Sequence, residues 1–285
     1  MKVEQNISRL EYLLALYNIT PDSLLTMVNE GHKKPITKED IFTKNIHLDH
    51  LMRVDKFFDK GYNYYISPGY AECTRESSIF FRKSKFGCEL NFGAKRVVNY
   101  FEEFKTSLAT IAEHADLRLK RTLPIYNLQH NPRAVAQQLR KSLAPNLDIS
   151  PKKLLNIFID KLAVHNILVF EFLEAWNKKQ KANIDGFFLE PNVLVVKKLP
   201  TASNKQIFVL IHELGHYLLN EEEVEQLDVE NIINSQLTPI ERWCNDFAYY
   251  FLSTEYDRLI EGINFDSDND YHPLTRFYLS KHCYK

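Results

Sequence analysis

Apolar residues recur along this chain with two different periods. Between positions 7 and 28 the spacing is helical, with Leu10, Leu13, Leu14, Leu16 and Tyr17 followed by Leu24, Leu25 and Val28. This predicts two short helices broken at Thr20-Pro21-Asp22, where proline cannot continue a helix but can start one. Thr37 is placed to N-cap a further short helix, and positions 48–58 read as another. The aromatic run Ile79-Phe80-Phe81 reads as a strand or extended linker. Positions 94–120 predict a long helix with Val97, Val98, Phe101, Phe104, Leu108 and Ile111 on one face. Amphipathic helices are expected over 131–143 and 150–165, the second opened by Ser150-Pro151. Then the period changes. Positions 167–172 read as a strand, and 186–190 with 193–197 as a hairpin around Pro191-Asn192.

A last pair of helices follows, over about 205–220 and from Thr238 onward, and the first of them carries chemistry. An apolar run holds His212-Glu213-Leu214-Gly215-His216. Positions i and i+4 of a helix share a face, so both imidazoles can reach one metal ion, and Glu213 beside them is placed to act as general base on an activated water. A core helix seldom accepts two His and one Glu without a partner, because burying them unpartnered is costly. Gly215 in mid-helix costs roughly 1 kcal/mol against Ala, so it is expected where a neighbouring backbone comes close.

A site of this type needs a third protein ligand and leaves the fourth position for water. Glu241 is the candidate. It lies on a helix with Thr238 as N-cap, Pro239 at the first helical position and a buried stripe of Ile240, Trp243, Cys244, Phe247, Phe251 and Leu252. The local alternative is a capping box, in which the Glu241 side chain folds back onto the Thr238 N–H. An upstream motif that lacks its third ligand favours the metal. Asn245, one turn on, is placed to orient Glu241 or a His ring, or else is a polar residue at the edge of an amphipathic helix. Glu221, Glu222, Glu223 and Glu225 follow the helix too closely and read as a solvated acidic loop.

Composition narrows the class. The chain has 285 residues, 45% of them hydrophobic, and a formal net charge of −1, so no overall basic field argues for nucleic acid. Its four cysteines are widely spread and read as free thiols. No signal-peptide pattern opens the chain and no apolar run reaches membrane-spanning length, so a cytoplasmic protein with no membrane partner is expected. Arg118, Lys120 and Arg121 read as solvated surface, as does the polar stretch Asp266-Ser267-Asp268-Asn269-Asp270.

These residues also carry a resemblance. HELGHYLL, then a short acidic insert, then E-x-x-C-N-D-F-A-x-x-F-L resembles the ImmA/IrrE family of zinc metallopeptidases, with HELGHxLL followed by E-x-x-A-N-x-F-A-x-x-L-L. The likeness covers residues 212–252 and extends more loosely back to about Asn131, taking in Asp185-Gly186 and the 192–196 run. It departs from the family at Cys244, where Ala is usual, and at Ser203-Asn204-Lys205-Gln206, where an Arg usually precedes the motif helix. The resemblance implies an intracellular protease of bacterial or phage type that cleaves one partner protein, often a helix-turn-helix repressor or an antitoxin.

The expectation is therefore an α+β chain. Residues 1–121 would form a helical regulatory or partner-binding region resembling a degraded helix-turn-helix. Residues 127–285 would form a zincin-like metallopeptidase domain holding one zinc per chain through His212, His216 and Glu241, with Glu213 as the catalytic base. The rival from another class is a non-proteolytic zinc-containing regulator that binds DNA or protein through its N-terminal helices. An intact Glu213 argues against it, since a purely structural zinc site has no use for a base.

Overall fold

The helical stops and starts fall where the punctuating residues stand. In the computed structural model, described for residues 1–69, 78–82, 90–117, 120–144, 149–174, 181–199, 202–225 and 237–253, α1 (Ile7–Tyr17) ends at Asn18, whose φ of 52° is the left-handed conformation that Asn tolerates. Helix α2 (Pro21–Asn29) begins behind Thr20, whose hydroxyl accepts the Ser23 N–H at 3.1 Å. Helix α3 (Lys38–Ile41) is a single turn held by a capping box. The Thr37 hydroxyl accepts the Asp40 N–H at 3.3 Å, and the Asp40 carboxylate accepts the Thr37 N–H at 2.9 Å. Helices α4 (Leu48–Phe58), α5 (Tyr62–Ile66) and α6 (Ile79–Arg82) complete this part, with a two-stranded antiparallel ladder of β1 (Lys2–Glu4) and β2 (Asn45–His47).

The chain divides into two units, Met1–Ser84 and Lys85–Lys285. The core of the first unit gathers Leu10, Leu13, Tyr17, Leu24, Ile41, Leu51, Val54 and Tyr65. Gln5, itself buried, donates from Nε2 to the carbonyls of Ile41 and Thr43 and ties the first strand to the segment before β2. Residues 30–37 separate α2 from α3, a longer connection than the 3–4-residue turn of a helix-turn-helix. The aromatic run at 79–81 is helical, not extended. The Ser78 hydroxyl accepts the Phe80 N–H at 3.3 Å and so supplies the acceptor that a helix start needs.

In the second unit, α7 (Phe92–His114), α8 (Pro132–Leu143) and α9 (Pro151–Val164) precede a sheet of β3 (Leu168–Phe172), β4 (Gly186–Leu189), β5 (Val193–Lys197) and β6 (Val224–Glu225). The strand order is β3-β5-β4-β6, with β3 and β5 parallel and the other pairs antiparallel. Helix α10 (Ser203–Leu219) and α11 (Pro239–Leu252) follow. Consecutive residues of β4 face opposite sides of the sheet. Phe187 meets Phe101 of α7 at 6.1 Å between ring centroids, and Phe188 meets Tyr217 of α10 edge-on at 5.7 Å. The sheet is thus covered on both faces, which is why every residue of β4 is buried and why its sequence runs apolar without alternating.

The Phe101 and Phe104 contacts with Phe170 and Phe187 put α7 in the second unit. The division lies before α7, whose apolar face packs on the sheet. Every residue of α10 from Gln206 to Leu219 is buried, with α8, α9, α11 and the sheet around it. Among the described residues no helix is long and apolar enough to cross a membrane.

Candidate metal centre

Two helices bring three candidate metal ligands to one point. On α10, His212 and His216 stand one turn apart with Nε2 atoms 3.1 Å from each other. On α11, the Glu241 carboxylate reaches both, with Oε2 at 3.2 Å from His212 Nε2 and Oε1 at 2.9 Å from His216 Nε2. All three residues are about 1% exposed. Together they form a group that could hold a metal ion.

The cap and the ligand readings of Glu241 compete for one side chain. The Thr238 hydroxyl accepts the Glu241 backbone N–H at 3.2 Å, so the N-cap is made. The Glu241 side chain does not return to Thr238; it turns to the imidazoles. Asn245 lies on the same helix, and its Oδ1 stands 3.0 Å from His212 Nδ1. Of its two expected targets it takes the His ring. Held on that side, His212 presents Nε2 to the site.

The helices can approach because of Gly215. A Cβ on Gly215 would lie 3.1 Å from Cys244 Cβ and Sγ and 3.2 Å from Cys244 Cα. This is the close backbone approach that a mid-helix glycine implied, and it brings the Glu241 helix against the His helix. The thiol of Cys244 is fully buried in that seam. The far end of α11 is anchored by Arg140 of α8, whose Nη1 donates to the carbonyls of Tyr250, Phe251 and Ser253 at 3.2–3.4 Å, satisfying groups that a helix C-terminus leaves unpaired.

The donors present fit a divalent ion. Burial pushes the His212 imidazole below its ordinary pKa, with Glu241 opposing. Burial also opposes ionisation of Glu241, but the neighbouring imidazoles outweigh it and keep that carboxyl below the usual carboxylate range. Neutral imidazole and ionised carboxylate are the protonation states that metal ligands require. Neither oxygen of Glu241 has an aligned hydrogen-bond donor among the described residues, although both stand within ion-pair distance of the rings. One potential ligand atom from each of the three residues lies within 4.8 Å of the other two.

Glu213 stands beside this group, 4% exposed, and points to β4: its Oε1 lies 2.9 Å from where a Cβ on Gly186 would be. The residues that replace the family's usual Arg tie α10 to its surroundings. Lys205 bridges Asp185 at 2.9 Å and Gln206 donates to Glu171 of β3. Two charged segments are less exposed than their sequence suggests. Arg121 is not solvated surface: it donates to the Tyr217 carbonyl and to Asn220 Oδ1 at 3.0 Å and lies 3.8 Å over the Tyr217 ring, closing the C-terminus of α10. Glu222 and Glu223 are each only 8% exposed rather than a solvated acidic loop, and Glu222 accepts the Glu190 N–H at 2.9 Å, pinning the chain after α10 to the β4–β5 turn. Arg118 and the stretch 266–270 lie outside the described residues.

A helix-borne H-E-x-x-H, a glutamate from the next helix and a small sheet covered on both faces make a zincin-like α+β architecture. Residues 163–278 match the model of the Peptidase_M78 family, described as the IrrE N-terminal-like domain, so this part of the chain is similar to that peptidase family. Searches of curated proteins and of solved structures found no match to the chain.

Proposed function

We propose that the chain is a zinc-dependent endopeptidase that cleaves a specific partner protein, such as a helix-turn-helix repressor or an antitoxin. The observation that carries the hydrolytic reading is the convergence of His212, His216 and Glu241 with a buried glutamate, Glu213, one residue along from the first ligand. A structural zinc site is closed by four protein ligands, whereas three ligands of the His-His-Glu type belong to catalytic sites. The family match supports the peptidase class. The specific-partner reading comes from the likeness to ImmA/IrrE proteins and from the expectation of a cytoplasmic setting, where an indiscriminate protease would attack its own surroundings.

In this reading His212, His216 and Glu241 hold the zinc and Asn245 keeps the His212 ring turned towards it. The zinc, when bound, supplies Lewis-acid polarisation of the scissile carbonyl and acidifies a water molecule. Glu213 takes the proton from the water as it attacks the carbonyl carbon, and then delivers that proton to the leaving amine. Burial of α10 excludes bulk water from the group that handles the proton.

The test uses purified full-length chain and a candidate repressor encoded beside it. Wild type is expected to contain about one zinc per chain and to cut the repressor. Glu213→Gln should keep the zinc and lose activity by about 10²–10⁴-fold, the usual contribution of a general base. The His212→Ala/His216→Ala double variant should lose the metal. Full metal occupancy in that double variant would sink the site assignment. Rapid digestion of casein by wild type would refute the specific-partner reading while leaving the zinc site intact.

A further inference from the structure

Gly186 opens strand β4 without needing glycine's backbone freedom. The glycines at positive φ among the described residues are Gly31 and Gly61. What Gly186 lacks is room for a side chain. A Cβ there would lie 2.6 Å from Val209 Cγ1, 2.9 Å from Glu213 Oε1 and 3.0 Å from Glu213 Cγ. Its neighbour Asp185, 7% exposed, bridges Lys205 at 2.9 Å. Lys205, Val209 and Glu213 are spaced four apart and share one face of α10. Two consecutive residues therefore meet three successive turns of the helix.

The strand has little freedom to back away. Gly186 pairs with Val196 of β5 on one side and with Glu225 of β6 on the other, and the Lys197 N–H donates to the Asp185 carbonyl at 2.7 Å. Glu213 is the more movable neighbour, since its carboxylate is the far end of a flexible side chain. We infer that Gly186 is a positioning residue for the reaction: the absence of its side chain sets where the Glu213 carboxylate stands, and Asp185 fixes the height of the strand against the helix through Lys205. This rests on the assignment of Glu213 as the base.

The experiment is a double-mutant cycle on the zinc-loaded full-length chain, with acetohydroxamate as the probe. A hydroxamate binds metal as its anion, and a carboxylate beside the metal receives the displaced proton or its hydrogen bond. Losing a hydrogen bond to a charged group is expected to weaken binding by about tenfold or more. Gly186→Ala should therefore weaken acetohydroxamate about tenfold in the wild-type background, at unchanged zinc content. In the Glu213→Gln background the same substitution should change the affinity less than about twofold, because the group it displaces is already gone. Equal effects in both backgrounds would mean general damage and would overturn the inference, as would unchanged binding in the first background or loss of zinc. If Glu213→Gln itself leaves the affinity unaltered, the assignment of the base fails first, and that outcome is separate from the others. Should Gly186→Ala fail to fold, the cycle is run in a Val209→Ala background, which removes the 2.6 Å contact and leaves the contact with Glu213.

Discussion

The two units of this chain bury their helices in different ways. In Met1–Ser84, α4 sinks Leu51, Val54 and Phe58 and leaves Met52 and Lys56 in water. That is the ordinary amphipathic solution, in which polar groups stay wet and burial is confined to one stripe. In Lys85–Lys285, α10 is buried on all sides and takes His212, Glu213 and His216 with it. Nothing in folding alone asks for those three residues there, because each costs free energy to bury. The difference teaches where to look for function in a chain with few other clues: in the helix whose burial is complete although its sequence is not wholly apolar.

Substitutions in the two units should act on different properties, metal binding in one and stability in the other. The largest effect falls on Glu241. Glu241→Gln keeps the backbone N–H that Thr238 caps and removes the anionic oxygen that faces the imidazoles. Helix content by circular dichroism should stay the same, while zinc affinity, measured against a chromophoric chelator, should fall by more than the roughly hundredfold that loss of an outer partner costs. Zinc affinity equal to wild type would return Glu241 to the cap and remove the contrast.

Leu13→Ala should act in the opposite sense. Leu13 is 1% exposed in an apolar core, so truncation is expected to cost about 2–5 kcal/mol of stability, read from calorimetry of the full chain, with zinc content unchanged. Parallel loss of metal would mean that the site draws on the first unit's core after all.

The smallest effect is pH-dependent and belongs to Asp246. Burial pushes its carboxyl up to about 6, with Arg242 opposing. Between the ordinary carboxylate pKa and 6 the folded chain therefore holds a proton that the unfolded chain has released. The stability this contributes is complete below about pH 4 and is lost as pH rises through 6. Asp246→Asn should thus raise stability at pH 7 by at most about 3 kcal/mol and change little at pH 4. Equal effects at the two pH values would show that packing, not charge, dominates at this position.

Much of the site was legible because its signals are local. The H-E-x-x-H spacing, the Thr238-Pro239 helix start and the hairpin about Pro191-Asn192 each depend on neighbours a few residues apart, and each stands where the sequence put it. Features that depend on distant partners were not legible. The apolar face of α7 reads the same whichever unit it covers, and only Phe170 and Phe187 reveal which. Arg121 looked like surface because its acceptors, Tyr217 and Asn220, lie 96 and 99 positions away. Glu222 looked solvated for the same reason, its donor being the Glu190 backbone. Gly186 left a trace in the Asp-Gly pair, but its space-keeping role needs Val209 and Glu213 to be brought alongside.

The seam between Gly215 and Cys244 has an evolutionary consequence. With no more than 3.2 Å between a Cβ at 215 and the atoms of residue 244, the two positions share a fixed volume. Gly215 has nothing smaller to give, so a residue larger than Cys at 244, or any side chain at 215, would move α11 out and carry Glu241 away from the imidazoles. Lineages that keep the metal are then confined to small pairs, and the Ala usual among ImmA/IrrE proteins and the Cys of this chain are two solutions under that one ceiling. Position 215 is therefore expected to stay Gly while position 244 varies among residues no larger than Cys, so what selection reads at 244 is a size limit set by the missing side chain at 215.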